Sequence, residues 1–408
     1  MANNETKENS IEIIFNDWKI FLNTTTNILK ITIDKYDSNE MYQSSFKLKY
    51  LQTLNLFKSK ISVNEIFENI CILIYQNSIT IEENGKKLLL NSIDELNLEK
   101  KEKISSEKDI FLNINKINSI KMHDEWIRSI TIFPSGNLIS VSNDKSIKIY
   151  DNNFNILQII VNAHEKGILY VHIINDFNFI TCSKDKNIKF WIKNDNLDNF
   201  YLKETIINAH KNWITYVINY KDKNIISCSN DKTVKIWEKI NNKYQLMTIL
   251  KHEGWVYSSL ILENKNLLIS SGGDGTKFWD FHNYELLEKI NAYCNNNNAL
   301  KLIDDNTIIV GGYNGFINVV SIPQRKIIKI IVNEFFCLGI TVFQDLGIFI
   351  CGGIGKNIKV FRIDNYRCIH QIEDIHDKGI LGFCKLNNNL IVSFGKDHFI
   401  KILSINKR

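Results

Sequence analysis

Short apolar stretches alternate with polar ones along most of the chain, and the clearest example lies between Asn208 and Glu238. Two runs in this stretch alternate apolar residues with small or polar ones, which predicts strands with one buried face. His210 stands near its start, Asp231 follows 21 residues later, and Trp237 follows 27 residues after the His. These three positions define a spacing that recurs in the chain.

Six further stretches show the same spacing, with first and third positions 27 residues apart every time. They begin, in chain order, at His123, His164, His252, Tyr293, Glu334 and His376. Successive first positions lie 41, 46, 42, 41, 41 and 42 residues apart. Repeats of this length, each made of several short strands, predict a β-propeller.

This arrangement resembles the WD40-repeat family, with seven repeats over residues 110–408. The resemblance implies an all-β, seven-bladed WD40 β-propeller, each blade a four-stranded antiparallel sheet around a central channel. The match is specific in repeats one to four and seven. Repeat four nevertheless has Gly273 at the Asp position. Repeats five and six keep only the spacing, with Tyr293 and Asn314 in one and Glu334 and Gly355 in the other.

The resemblance also implies a hydrogen-bonded relay within each blade. It runs from a His in the loop between blades to a Ser or Thr in the second strand, an Asp in the next turn and a Trp in the third strand. In repeat three these residues are His210, Ser227 (or Ser229), Asp231 and Trp237. One copy per blade suits a structural role better than catalysis, because buried polar groups need satisfied partners.

The residues assigned to these structural relays share the repeat positions of the His, Ser, Asp or Trp. They are His123, Asp144, His164, Asp185, Trp191, His210, Ser227, Asp231, Trp237, His252, Trp279, His376 and Asp397. Repeats five and six cannot build the relay, so we expect them to depend on packing against their neighbours.

The last repeat supplies only three predicted strands, near Leu381–Leu386, Leu390–Phe394 and Phe399–Ile405. An open sheet edge there would leave backbone donors and acceptors unpaired. Residues 111–120 precede the first His much as a strand near Asn155–Val161 precedes the second. We therefore expect 111–120 to complete blade seven and close the ring.

The chain ahead of the repeats predicts a different kind of unit. Residues 1–10 are predicted to be disordered, 11–94 to form a small α+β module and 95–109 to form a charged linker. The strands predicted in the module are Ile11–Leu22, Asn27–Asp34 and Ser45–Tyr50, with a helix over Val63–Tyr75 and a hairpin of Ser78–Glu82 and Lys87–Leu90 around Asn84-Gly85.

Charge and composition narrow the function further. Residues 1–109 contain 14 Lys and 17 acidic residues, whereas 110–408 contain 36 basic and 28 acidic residues. This modest basic excess falls short of a nucleic-acid-binding footprint, so protein or peptide partners are favoured. No apolar run is long enough to span a bilayer and no secretory signal is present, which predicts a cytoplasmic or nuclear protein. The sequence leaves the oligomeric state open.

The sequence contains no signature of an enzyme, a cofactor site or a metal site. It lacks GxGxxG, GxxxxGK[ST], HExxH and GxSxG motifs, and its 8 cysteines form no CxxC pair. Cys182 and Cys228 share a repeat position inside a predicted strand, which is typical of small buried residues. We therefore expect no cofactor and no catalytic residue.

Aromatic residues near the channel mouth are the candidate partner-binding residues. In WD40 proteins, the loop after the His position lies on the face around the channel, where partners commonly dock. Aromatic side chains and Arg carry much of the energy at interfaces, although each Trp has the alternative of packing between blades. The candidates are Trp126, Arg128, Trp213, Trp255, Tyr313, Phe335 and Phe336.

Three function classes follow. The first is a non-enzymatic scaffold or adaptor that binds protein or peptide partners on the face around the channel. The second is a substrate receptor of a ubiquitin ligase, with the N-terminal module as docking arm. The third is an enzyme that uses the channel, which would require carboxylates or histidines converging from several blades, and the sequence shows no such set.

Overall fold

The computed structural model describes residues 9–15, 18–25, 28–35, 41–47, 80–83, 86–89, 112–194, 198–220, 224–292, 294, 299–312, 315–333, 336–387 and 389–407. The chain divides into two units, one of Met1–Ile110 and Ile328–Val332, the other of Phe111–Ile327 and Asn333–Arg408. Apart from the 3-10 helices Glu263–Lys265 and Gln344–Leu346, every described element is a β-strand. Among these residues no helix has the length and apolar character to cross a bilayer.

The first unit contains an antiparallel four-stranded meander and a hairpin. β1 pairs with β2, β2 with β3, β3 with β4, and β5 with β6. The strands are β1 (Asn9–Phe15), β2 (Trp18–Thr25), β3 (Ile28–Lys35), β4 (Met41–Lys47), β5 (Thr80–Glu83) and β6 (Lys86–Leu89).

Two strand predictions for this unit need correction. A single strand was expected over Ile11–Leu22, but the structure has the antiparallel pair β1 and β2. Between them the sequence has Asn16-Asp17, residue types that favour turns and that apolar alternation alone does not weigh. β4 covers Met41–Lys47, earlier than the predicted Ser45–Tyr50.

The remaining predictions for the N-terminal part of the chain concern its order and its helix. β1 begins at Asn9, inside the stretch predicted to be disordered. The helix predicted over Val63–Tyr75 and the linker predicted over 95–109 lie outside the described residues.

The repeats form a seven-bladed all-β propeller, so their predicted fold is confirmed. After β7 (Leu112–Lys121), four strands per blade follow in chain order, from the innermost outward. Blades one to three contain β8 (Ile127–Ile132), β9 (Leu138–Ser142), β10 (Ile147–Tyr150), β11 (Ile156–Ile160), β12 (Ile168–Asn175), β13 (Asn178–Ser183), β14 (Ile188–Lys193), β15 (Phe200–Ile206), β16 (Ile214–Tyr220), β17 (Asn224–Ser229), β18 (Thr233–Ile240) and β19 (Lys243–Lys251).

Blades four to six continue the same order, and blade seven has three strands in this part of the chain. Blade four contains β20 (Val256–Leu262), β21 (Leu267–Gly272), β22 (Gly275–Asp280) and β23 (Leu286–Ile290). Blade five contains β24 (Leu300–Asp304), β25 (Thr307–Gly311), β26 (Phe316–Ser321) and β27 (Lys326–Val332). Blades six and seven contain β28 (Cys337–Phe343), β29 (Ile348–Gly353), β30 (Ile358–Arg362), β31 (Cys368–Ile372), β32 (Ile380–Lys385), β33 (Leu390–Gly395) and β34 (Phe399–Lys407).

The innermost strands close a ring around the channel. Each contacts the innermost strand of the next blade, in the order β8, β12, β16, β20, β24, β28, β32 and back to β8. The second strand of each blade is sandwiched between neighbouring blades, and β9, β21, β25 and β29 are buried along their whole length. Outer strands such as β11 and β19 are mostly exposed. This gradient explains the small and apolar residues of the second strands, since both of their faces are covered.

Hydrophobic packing joins consecutive blades. Between blades one and two, Ile139 and Val141 share a buried cluster with Val171, Phe179 and Trp191. Similar clusters join blades two to three, three to four, four to five, six to seven and seven to one. Stability of such an array therefore comes largely from interfaces between consecutive blades.

The outer strand of blade seven comes from the start of the propeller. β7 pairs antiparallel with β34, with Lys121 opposite Phe399 and Leu112 opposite Lys407. Ile114 of β7 is buried in the cluster shared by blades six and seven. The two ends of the repeat array thus lie in one sheet, and β34 has no open edge along this pairing.

Candidate binding surface and the relays beneath it

Blade three contains the complete polar relay. His210 Nδ1 lies 2.9 Å from Asp231 Oδ2, and its Nε2 lies 2.7 Å from Ser227 Oγ. Trp237 Nε1 donates to the same Ser227 Oγ at 2.9 Å. Because an indole N–H can only donate, Ser227 accepts from Trp237 and has its own proton for His210 Nε2. The His210 proton then lies on Nδ1 and faces the carboxylate.

The relays of blades one, two and seven use the same positions, but only the relay of blade two also has the Trp. In blade two, His164 bonds Asp185 and Thr181, and Trp191 donates to Thr181 at 2.9 Å. Blade one replaces the Trp by Tyr150, and blade seven replaces it by Leu403, but both keep the His–Asp and His–Ser bonds. These bonds join His123 to Asp144 and Ser140, and His376 to Asp397 and Ser393.

The relays hold the adjacent loop in a fixed position on one face of the propeller. The Asp carboxylate also accepts the backbone N–H of the residue after the His, as Asp231 Oδ2 does from Lys211 at 2.9 Å. Two residues beyond Lys211 the chain reaches Trp213, immediately before β16. A buried network with satisfied partners therefore holds the loop that carries the candidate binding residue.

Four aromatic residues occupy equivalent positions before the innermost strands and form what we name the aromatic rim: Trp126, Trp213, Trp255 and Phe336. The carbonyl oxygen of each accepts a backbone N–H from the turn that follows the second strand of its own blade. These N–H groups belong to Asn143, Asn230, Gly273 and Ile354, respectively. Equivalent positions in a closed ring of blades lie on one face, which we name the rim face.

Exposure separates the candidates. Trp213, Trp255 and Phe336 are 42%, 52% and 40% exposed. Trp126 is only partly buried but packs against the cluster between blades seven and one. Arg128 of β8 is half-buried nearby, while Tyr313 and Phe335 lie outside the described residues.

Lysine side chains cover two of the rim indoles. Lys184 Nζ lies 4.8 Å from the ring centroid of Trp213, and Lys396 Nζ lies 4.6 Å from that of Trp126. Each Lys belongs to the turn after the second strand of one blade, and each Trp belongs to the following blade. Cation–π contacts of this kind fix the lysine over the indole face and leave the ring edge accessible.

A family model described as WD domain, G-beta repeat matches residues 114–151, 155–191 and 202–238. Residues 114–238 are WD40 repeats. Each matched stretch begins in or one residue before the outer strand of one blade and ends at or just after the Tyr or Trp position of the next. The WD40 repeat is therefore offset from the blade by one strand. A comparison with curated proteins gives no match.

In blade four the acidic residue of the relay stands at a different repeat position from the expected one. His252 Nδ1 lies 2.7 Å from Asp274 Oδ1, not near a side chain at Gly273. Its Nε2 bonds Ser270 at 2.7 Å, and Trp279 donates to Ser270 at 2.8 Å, so the relay is complete.

The acidic residue of blade four lies one position later than in the other blades because the lengths of its segments differ. Ser270 follows its His by 18 residues, against 17 in blade three, and Trp279 follows that Ser by 9, against 10. Gly272 pairs with Gly275, which leaves a two-residue turn containing Asp274. The segment from His to Ser is one residue longer, and the segment from Ser to Trp is one residue shorter. The two changes cancel, so the 27-residue spacing from His to Trp conceals both.

Sequence reasoning missed a lysine two residues before the Trp position. Lys189, Lys235 and Lys277 donate to the backbone carbonyls of Ala163, Ala209 and Lys251 at 2.7, 2.6 and 2.9 Å. These carbonyls lie at the start of the loop that carries the His. The signal was present, since Lys occupies this position in six repeats, namely at Lys148, Lys189, Lys235, Lys277, Lys359 and Lys401.

Blade six lacks the relay and uses apolar groups at the same positions. Buried Cys351 replaces the Ser, and Phe361 replaces the Trp and stacks on Phe349 with ring centroids 4.9 Å apart. Glu334, like Tyr293 and Asn314 of blade five, lies outside the described residues.

The innermost strands of the propeller offer no convergent catalytic set to the channel. Those seven strands, all described, contain one histidine, His172, and one carboxylate, Asp304 at the exposed end of β24. Burial lowers the pKa of His172 to about 4. Over the described residues, no group of three His, Cys, Asp or Glu side chains has the geometry to hold a metal ion.

The relays predict how stability depends on pH. Burial lowers the pKa of His123, His164, His210 and His252, although each Asp partner partly offsets this. As the pH falls through about 6.5, the ordinary histidine pKa, these histidines therefore bind protons more readily in the unfolded chain than in the folded protein. We expect the free energy of unfolding to decrease steadily from pH 7.5 to pH 5, measured by urea unfolding. A constant or rising value over this range would contradict neutral histidines in the relays.

Proposed function

We propose that the protein is a non-enzymatic scaffold or adaptor that binds protein or peptide partners on the rim face. The observation that carries this proposal is the exposure of Trp213 and Trp255 at equivalent positions of adjacent blades. Two large exposed indoles at equivalent positions of adjacent blades present apolar area that binding would remove from water. Trp is also among the residue types that dominate interface energies. WD40 propellers commonly serve as protein-interaction scaffolds.

Blade six extends the same apolar surface. Phe336 and Ile354 are both exposed there, and Ile354 N–H donates to Phe336 O, which holds the two residues together. Exposed apolar residues grouped on one face mark interaction surfaces more often than isolated ones do.

The opposite face is a weaker candidate. An open depression of about 510 Å³ there is lined by Leu302, Val342, Gln344, Asp345 and Lys385. Its polar groups already have partners, because Lys385 pairs with Asp345 at 3.1 Å and Gln344 donates to Ile303 O. A ligand there would have to break contacts that the protein makes within itself.

Trp213→Ala and Trp255→Ala provide the test. Each is expected to weaken binding of a partner recovered by affinity purification by about thirtyfold, the effect of losing about 2 kcal/mol at an interface hot spot. The melting temperature is expected to stay unchanged, because both side chains are exposed. Binding is measured by pull-down and melting by circular dichroism on the same preparations.

Two control variants show what is expected of an exposed residue away from the rim face and of a buried indole. Leu202→Ala removes a residue of similar exposure, 43%, from the outer strand β15 and is expected to change neither quantity. Trp279→Ala removes a buried indole and is expected to lower stability by about 3 to 5 kcal/mol. If Trp213→Ala and Trp255→Ala behaved like Trp279→Ala, the two residues would belong to the core and the proposal would fail.

Affinity purification also separates the adaptor from a ubiquitin-ligase receptor. Purification with the full chain and with residues 110–408 alone would compare the partners bound by each. Ligase subunits recovered only with the full chain would support the receptor and assign the docking arm to residues 11–94. Their absence from both purifications would favour the adaptor.

A further inference from the structure

The side-chain amide of Asn230 lies buried on the rim face with no partner for its oxygen inside the protein. Asn230 stands in the turn between β17 and β18, and its backbone N–H donates to Trp213 O at 2.9 Å. The residue is 8% exposed. Its Oδ1 is fully buried, yet no donor among the described residues lies within hydrogen-bonding distance of it. Nearly all buried acceptors in proteins have a donor, so this one requires an explanation.

The turn of Asn230 lies next to the two loops that carry the most exposed rim indoles. The hydroxyl of Thr215, two residues after Trp213, lies 2.6 Å from the carbonyl oxygen of the residue that follows Trp255. The same hydroxyl lies 3.1 Å from the carbonyl oxygen of Cys228, two residues before Asn230. One small side chain is therefore within hydrogen-bonding distance of both backbones, which brings the three segments together at one place on the rim face.

Side chains at the turn position of Asn230 reach toward the rim residue of the following blade. Blades two and seven have a lysine at this position, and its ammonium group lies over the indole of the next blade. Blade one has Asn143, whose Oδ1 lies 2.8 Å from the place that a Cβ at Gly167 would occupy. Gly167 is the rim position of blade two. By the same arrangement, the Asn230 amide faces the rim position of blade four, which is occupied by Trp255.

The chemistry of this amide defines what it can bind. A primary amide offers an acceptor and donors side by side, and neither end of the Asn230 side chain has a hydrogen bond within the described part of the chain. A carboxylate could use only the donors, and an ammonium group could use only the acceptor. The N–H and C=O of one residue in an extended chain point to the same side and can use both. An extended main chain therefore fits this amide best.

We propose that Asn230 recognises the backbone of an extended peptide segment of a partner protein. The N–H of one peptide residue donates to Oδ1 and its C=O accepts from Nδ2, while an apolar side chain of the peptide packs against Trp213 or Trp255. The proposal rests on the proposed function, because it assigns the chemistry by which the rim face holds its partner. Main-chain hydrogen bonds of this kind contribute affinity, and the flanking side-chain contacts contribute specificity.

Selection from a random dodecamer peptide library displayed on phage, with the immobilised full-length chain as bait, supplies the probe. One selected peptide whose binding is lost in Trp213→Ala is synthesised together with a series in which each backbone N–H in turn is replaced by an ester oxygen. An ester removes the hydrogen-bond donor without adding bulk. Fluorescence anisotropy is expected to show a position at which the ester weakens binding to the unaltered protein by about tenfold, the effect of one lost hydrogen bond.

The variant Asn230→Ala assigns that ester effect to its residue. It is expected to bind the amide peptide about tenfold more weakly than the unaltered protein does, and to bind the ester peptide as well as the amide peptide. Its melting temperature is expected to change little, because its side chain makes no hydrogen bond within the described part of the chain. Asn143→Ala is the matched control. It removes the equivalent amide that faces Gly167 instead of an indole, and is expected to bind like the unaltered protein.

A second pair of variants keeps the test decisive if Asn230→Ala fails to fold. Asn230→Lys and Asn143→Lys introduce the residue type that the chain already has at this turn position in blades two and seven, at Lys184 and Lys396. Lysine has no acceptor for a peptide N–H. Asn230→Lys is therefore expected to lose the ester effect, whereas Asn143→Lys is expected to keep it.

The remaining outcomes each overturn a stated part. Binding that depends on Trp213 and Trp255 but not on Asn230 would overturn the role of the amide and leave the proposed function intact. An ester effect that persists in Asn230→Ala, or an equal loss of binding in Asn143→Ala, would overturn the assignment to this residue. A peptide that tolerates every ester but requires an Asn or Gln side chain would overturn backbone recognition. If no selected peptide depends on Trp213 or Trp255, both proposals fail.

Discussion

Deleting residues 1–121 is expected to abolish cooperative unfolding of the propeller, whereas deleting residues 1–109 is expected to preserve it. Only the longer deletion removes β7, which pairs with β34 from Phe399 to Lys407. It also removes Ile114 from the cluster that it shares with Leu403 and Ile405. The remaining edge of β34 would have unpaired backbone groups and exposed apolar side chains, a combination that promotes aggregation.

A pair of point substitutions tests the same strand at constant chain length. Ile114→Asp places a carboxylate in a buried apolar cluster and is expected to cost at least about 3 kcal/mol of unfolding free energy. Ile117→Asp makes the same change three residues along β7, where the side chain is 59% exposed, and is expected to be nearly neutral. Urea unfolding followed by circular dichroism measures both. Equal stability of the two variants, or equal cooperativity of the two deletions, would show that β7 does not close the ring.

The blade count could be predicted because the repeat spacing survives where the residue identities do not. Blade six has neither His nor Asp at the repeat positions, yet Gly355 and Phe361 stand at the expected distances. The spacing persists because strand lengths and turns fix how a blade fits between its neighbours. The polar residues, by contrast, can be replaced by packed apolar ones such as Cys351 and Phe361.

The details of single blades were less accessible from the sequence. Asp274 was missed because two length changes cancel within one repeat, and a fixed spacing detects only their sum. Arg128 was included as a neighbour of Trp126, but the lysines Lys184 and Lys396 were not. Lys184 meets Trp213 of the next blade, and Lys396 meets Trp126 across the ring closure. Such contacts depend on how blades pack, which no local pattern records.

Asp274→Ala is expected to destabilise the propeller as much as Asp231→Ala does, by roughly 1 to 3 kcal/mol each, although only Asp231 stands at the usual repeat position. Each substitution removes the carboxylate acceptor of a buried His Nδ1–H and of the backbone N–H of the following residue, at His252 and Glu253 or at His210 and Lys211. Burial by itself raises the pKa of both carboxyls. The hydrogen bonds and charges around each carboxyl, of which the hydrogen bond from the His is the largest, together outweigh burial and hold each pKa well below its usual range.

A control variant separates the effect of breaking the relay from the effect of losing a negative charge. Glu165→Ala removes an exposed carboxylate from the corresponding loop of blade two and is expected to shift stability by less than about 0.5 kcal/mol. The double variant His252→Ala, Asp274→Ala should cost less than the sum of its single variants, because each single variant already breaks their shared bond. Full additivity in that cycle, or a neutral Asp274→Ala, would mean that blade four is held by packing alone. The relay would then be a feature of blades one, two, three and seven.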